Sequence, residues 1–152
     1  MIRFINVFLV AAFTIILQSC VSSSSTTTVA RGVYLSNYSH VVLGNDNDGD
    51  AELNDIMMMV ENVLAQRYIT TTPSQARDLI SQGVFVLSPS INVKTEKWEG
   101  GHTFITITFY DYGTSQRIAV VKSSGIGLSI SQDQQLALKG IKKELDKLFN
   151  SK

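Results

Sequence analysis

The densest set of oxygen donors in the chain is Asp46-Asn47-Asp48-Gly49-Asp50, followed closely by Glu52 and Asp55. A hard cation such as calcium is held by several oxygens at about 2.3–2.6 Å, arranged on a loop that turns sharply at a glycine. With Gly49 as the turning residue, Asp46 and Asp48 take the third and fifth loop positions and Asp55 the last. The match then breaks down. The first position is Gly44, which has no side-chain donor, and Asp55 is shorter than the bidentate glutamate that usually closes such a loop. The favoured reading is an acidic turn that caps a helix; a cation held there would take Asp46, Asp48, Asp50 and Asp55 as ligands.

The other reactive groups are sparse. Trp98 lies between Glu96 and Glu99 in a polar turn and is the candidate for stacking on a sugar ring, against the plainer reading of a tryptophan packed on the domain. Two carboxylates in one turn do not make the opposed pair of a glycosidase. His40 and His102 are the only histidines, and there is no G-x-S-x-G elbow, so no nucleophile–base set is defined. Gly125-Ile126-Gly127 is half of a dinucleotide fingerprint and lacks its third glycine; flexibility at a strand end explains it better. Met57-Met58-Met59 cannot converge on one ion, because successive helical residues point about 100° apart. These readings predict a non-enzymatic protein with no cofactor.

A single cysteine excludes an intrachain disulfide and any multi-cysteine metal centre. Its neighbourhood is informative. Arg3 precedes an apolar run from Phe4 to Leu17, about 14 residues that would span roughly 21 Å as a helix. A bilayer core of ~30 Å needs about 20 residues, so the run suits a signal peptide better than a permanent span. Leu17-Gln18-Ser19-Cys20 then resembles the bacterial lipobox, with Gln18 an unusual choice at its position. The resemblance implies a diacylglyceryl thioether on Cys20 and cleavage before it. Two or three acyl chains would anchor the protein stably, whereas one is marginal. Val21 follows where an aspartate would favour inner-membrane retention in enterobacterial-type lipoproteins, so the expected location is the outer membrane, facing the periplasm.

These segments divide the chain into a lipoprotein signal peptide (1–19), a lipidated cysteine with a Ser/Thr-rich tether (20–31) and one globular domain (32–152). Its stretch from Val21 to Thr28 is uncharged and has little to bury, which predicts flexibility. In the domain, residues 38–43 and 68–72 have strand character, and residues 51–67 carry Leu53, Ile56, Met57, Val60, Val63 and Leu64 at helical spacing. Pro73 opens a short helix that presents Ala76, Leu79 and Ile80 before Gly83 stops it. A strand from Val84 contains Pro89, which implies an edge or a bulge. Alternating residues 103–112 and 116–123 form a hairpin, and a last helix carries Ala137, Leu138, Ile141, Leu145, Leu148 and Phe149 as its stripe. The predicted fold is α+β, in the order β-α-β-α-β-β-β-α, with about five strands in a mixed or antiparallel sheet and two main helices packed on it.

This order resembles a loose group of small bacterial envelope lipoproteins, including uncharacterised periplasmic lipoproteins and the lipoprotein activators of penicillin-binding proteins. The hairpin phrase from Thr106 to Asp111, the glycines at 125 and 127 and the amphipathic last helix carry the likeness. It implies architecture and transfers no functional residue. Thirteen basic residues balance thirteen acidic ones, which argues against a general nucleic-acid binder. The sequence therefore points to a protein attached to the membrane through Cys20 that binds or positions an envelope partner. The alternative is a ligand-binding lipoprotein that uses the acidic turn for a divalent cation or the Trp98 loop for a glycan.

Overall fold

The computed structural model describes residues 21–44, 51–96 and 101–150, the side chains at 51–53, 55, 56 and 150 excepted. Six strands and three helices follow in chain order: β1 (Ser22–Val29), β2 (Tyr38–Val41), α1 (Ala51–Ala65), β3 (Ile69–Thr70), α2 (Pro73–Ser81), β4 (Phe85–Thr95), β5 (His102–Asp111), β6 (Arg117–Ile126) and α3 (Ile130–Asn150). A short 3-10 turn, Leu35–Asn37, leads into β2. The strands form one sheet in the order β1-β6-β5-β4-β2-β3. β2 runs parallel to both β3 and β4, and the remaining pairs are antiparallel. This is the α+β mixed sheet that the sequence predicts, and from β2 onward the element order agrees as well.

The segment read as a flexible tether is instead a strand. All eight residues of β1 pair with β6, from Ser22 opposite Ile126 to Val29 opposite Ala119. Low hydrophobicity does not prevent this, because a backbone ladder needs only a partner strand, and β-branched threonines suit a pleated surface. The sheet therefore begins at Ser22, not at residue 32, and has six strands where about five were expected.

Side-chain alternation divides the apolar residues between two faces. On one face Val41, Leu87, Ile105, Ile107, Phe109 and Val121 pack with Val60 and Leu64 of α1 and with Ala137, Ile141 and Leu145 of α3. On the other, Val42 and Val86 meet Ala76 of α2, with Leu79 and Ile80 alongside. The two longer helices thus share one face and α2 lies on the opposite one. The ends of α2 follow the sequence signals: Thr72 and Gln75 form a reciprocal capping box, Pro73 opens the first turn, and Gly83 follows the helix at φ +80°.

Pro89 faces Phe109 on β5, while β2 runs beside β4 only from Phe85 to Leu87. Among the described residues, Pro89 therefore sits where one side of β4 has no strand neighbour, the edge position that a residue without an N–H can occupy. Gly125 has a different role from the one expected. A Cβ there would lie 2.7 Å from the Ala137 backbone nitrogen and 2.8 Å from the Leu136 Cβ. At Gly140 it would run into the Ser123 hydroxyl. These two glycines let α3 lie directly on β6; at Gly125, close packing replaces the expected loosening of the strand end.

Candidate functional site

Several sequence-level candidates fall outside the described residues: Asp46, Asp48 and Asp50 of the acidic turn, and Trp98 with its neighbour Glu99. Asp55 lies within α1, its side chain again outside the described residues. Of the Met57–Met59 run, Met57 is half-buried while Met58 and Met59 are exposed, in keeping with partial core filling. Among the described residues no three His, Cys, Asp or Glu side chains come together to hold a metal ion. No helix of the described residues is long and apolar enough to cross a membrane.

The two histidines stand apart in the sheet. His40 is on β2, where its Nδ1 lies 2.8 Å from the Ser39 hydroxyl. His40 borders a shallow hollow of about 350 Å³ that Thr71, Gln75 and Asp78 also line. Among the described residues no carboxylate bonds the His40 ring, so the orienting third group of a triad is missing. His102 begins β5, with its ring centroid 5.7 Å from that of Phe104.

Asp111, unremarked in the sequence beyond its place in the turn, closes the β5–β6 hairpin. One carboxylate oxygen accepts from the Thr114 backbone N–H at 2.8 Å and from its hydroxyl at 2.9 Å. The other accepts from the Tyr38 hydroxyl at 3.0 Å. Burial, helped by this carboxylate, pushes the Tyr38 hydroxyl up to about 12. Both oxygens of this buried acid are engaged, one within the hairpin turn and the other by Tyr38 of β2. It is structural.

A second polar cluster joins β1 to α3. Glu144 is buried and accepts from the Thr27 hydroxyl at 2.8 Å, the Ser25 hydroxyl at 3.1 Å and the Lys147 ammonium at 2.8 Å. Lys147 foremost, then Thr27, hold its carboxyl below the usual carboxylate range against the opposing effect of burial. The alternation of β1 sends Ser25 and Thr27 toward α3 and leaves Thr26 and Thr28 on the opposite face. There, Thr26, Thr28, Thr106, Thr108, Arg117 and Lys122 line an open cleft of about 570 Å³. Sequence reasoning missed both features because they depend on β1 being a strand. The signal it could have used is the hydroxyl-bearing, β-branched run Thr26-Thr27-Thr28 beside Val29.

The sequence matches no protein-family model and no curated protein. The fold does have solved counterparts. A PelC dodecamer from Paraburkholderia phytofirmans superposes with a TM-score of 0.53 at 16% identity, covering 86% of this chain and 100% of that one. A single-substitution variant of the same dodecamer gives 0.52 at 15% identity, covering 84% and 98%. At these identities the likeness establishes a shared fold, and it extends over nearly the whole of both chains.

Proposed function

We propose that this chain is a lipid-anchored bacterial envelope protein that acts without catalysis, binding or positioning another envelope component. In this reading several copies assemble on the periplasmic face of the outer membrane. The observation that carries the proposal is the place of Cys20, the lipobox cysteine, two residues before a sheet-edge strand. The outer side of β1 has no strand neighbour among the described residues, and from Val21 to Ala30 the chain carries neither charge nor proline. Sheet edges are normally protected by such residues, and an edge without them is a surface for pairing with another chain. The likeness to PelC, which the solved structures show as a dodecamer, supports assembly from copies of one domain.

Growth with an alkyne fatty acid, followed by membrane fractionation, tests the anchor. The wild-type chain should take up label and partition with outer membranes, whereas Cys20→Ser should lose the label and appear in the soluble fraction. Acylation that persists in Cys20→Ser would overturn the assignment. Cross-linking in cells with mass spectrometry, together with native mass spectrometry of the detergent-extracted protein, tests the rest. A monomer without cross-linked envelope neighbours would refute the positioning role.

A further inference from the structure

We infer that the Ser22 end of the sheet is a membrane-seating surface, with Val21, Phe104, Leu128 and Ile130 resting in the lipid headgroup layer. The inference rests on acylation of Cys20 and goes beyond it in naming the part of the domain that touches the bilayer. Only Val21 separates Cys20 from Ser22, and two residues of fully extended chain reach no more than about 7 Å. The headgroup layer is itself roughly 5–7 Å deep on each side of the hydrocarbon core. With β1 paired throughout its length, no slack remains to hold the domain away from the lipid.

Register identifies what else lies at this end. Ser22 is opposite Ile126 on β6, and Ile126 is opposite His102 on β5. Neighbouring strands are about 4.8 Å apart, so the three strand ends lie within roughly 10 Å of one another. Among serines at 22–24, 129 and 131, four large apolar side chains are exposed here: Leu128 is 71% exposed, Phe104 38%, Ile130 37% and Val21 36%. Leu128 is held outward because its N–H is bonded to the Gln132 side chain at 2.8 Å and the preceding Gly127 N–H to Asp133. Two side-chain caps from the first turn of α3 thus fix a leucine in solvent, at a cost in hydration that a headgroup layer would relieve. Val29 and Phe85 are exposed at the far end of the sheet, but seven residue steps of strand place them roughly 23 Å away. Chain geometry, not apolarity alone, selects the seating end.

The test uses the full-length lipoprotein reconstituted in vesicles of phosphatidylethanolamine and phosphatidylglycerol. With Cys20 acylated, Leu128→Cys offers the only free thiol and can be labelled with an environment-sensitive fluorophore. Gln116→Cys, in the hairpin turn at the opposite end, is the control, and Ile130→Cys is a second reporter should the first perturb the loop. Lipids spin-labelled near the top of the acyl chain should quench the probes at 128 and 130 several-fold more than the probe at 116. Equal, weak quenching at all three positions on an acylated protein would overturn the seating and leave the anchor standing. A reactive Cys20 thiol in the unsubstituted protein would overturn both.

Discussion

Replacing Glu144 by alanine should release β1 from the domain while leaving the rest of the sheet intact. The carboxylate accepts two hydroxyl bonds from β1, at 2.8 and 3.1 Å, and one ammonium bond from Lys147 at 2.8 Å. The lysine is mostly exposed and its pairing contributes little. Hydrogen bonds to a charged acceptor contribute about 1.5–3 kcal/mol each, but Ser25 and Thr27 are half-exposed and can turn to water once the acceptor is gone. The combined loss is therefore expected at about 2–3 kcal/mol, at or below the foot of the additive range of about 3–6 kcal/mol. It should appear as easier local opening of β1, with amide exchange there faster by roughly 30- to 140-fold. Native-state hydrogen exchange compares β1 with the centre of β5. Unchanged protection in β1, or an equal fall in both strands, would refute the latch. The pH dependence has a definite sign. Because the folded carboxyl is held below its ordinary value of 4.5, its contribution is complete above that pH and is lost as pH falls through the lower folded value. Exchange in β1, corrected for its intrinsic rate, should accelerate in that acid range in the wild type and show no such step in Glu144→Ala.

Leu145 is fully buried beneath the sheet, so Leu145→Ala should lower unfolding stability by about 2–5 kcal/mol in urea titration. A loss under about 0.5 kcal/mol with α3 still present would mean that the wrong helix face has been assigned. Gly125→Ala should destabilise by about 1–3 kcal/mol through overpacking against α3, read as a lower Tm. A neutral effect would show that helix and strand can separate freely there. Millimolar calcium should raise Tm no more than magnesium does, since a bare acidic helix cap responds to general screening. A calcium-specific rise of several degrees that Asp48→Asn removes would establish a cation site at the acidic turn.

The Glu144 latch also bears on the proposed function. The same strand would carry the acyl anchor at one end, present a free edge along its length and be held to α3 at its middle. Pulling on the lipid would load the β1–β6 ladder first, so the ties of Ser25 and Thr27 to Glu144 lie on the path between membrane and core. An assembly built through the β1 edge would add to that support, because pairing on the second side of a strand satisfies backbone groups that otherwise face water.

Much of this protein can be read from local pattern. Helical spacing marks Val60 and Leu64 in α1 and Ala137, Ile141 and Leu145 in α3, and these are the residues that reach the core. Pro73 and Gly83 mark the ends of α2 because φ and a missing N–H are properties of single residues. Strand alternation from Thr103 to Asp111 likewise identifies the buried side of β5. Three matters lay beyond that reach, and all depend on partners distant in the chain. The serine and threonine run at 22–29 is a strand only because β6, almost a hundred residues later, offers a ladder and Glu144 offers an acceptor. Gly125 and Gly140 carry meaning only where α3 meets β6. The placement of α2 opposite α1 and α3 follows from Val86 and Val42 pointing away from Leu87 and Val41, a choice of face that no single amphipathic helix specifies. Local propensity and periodicity are written residue by residue, whereas pairing, close approach and the choice of face arise only when separate elements pack together.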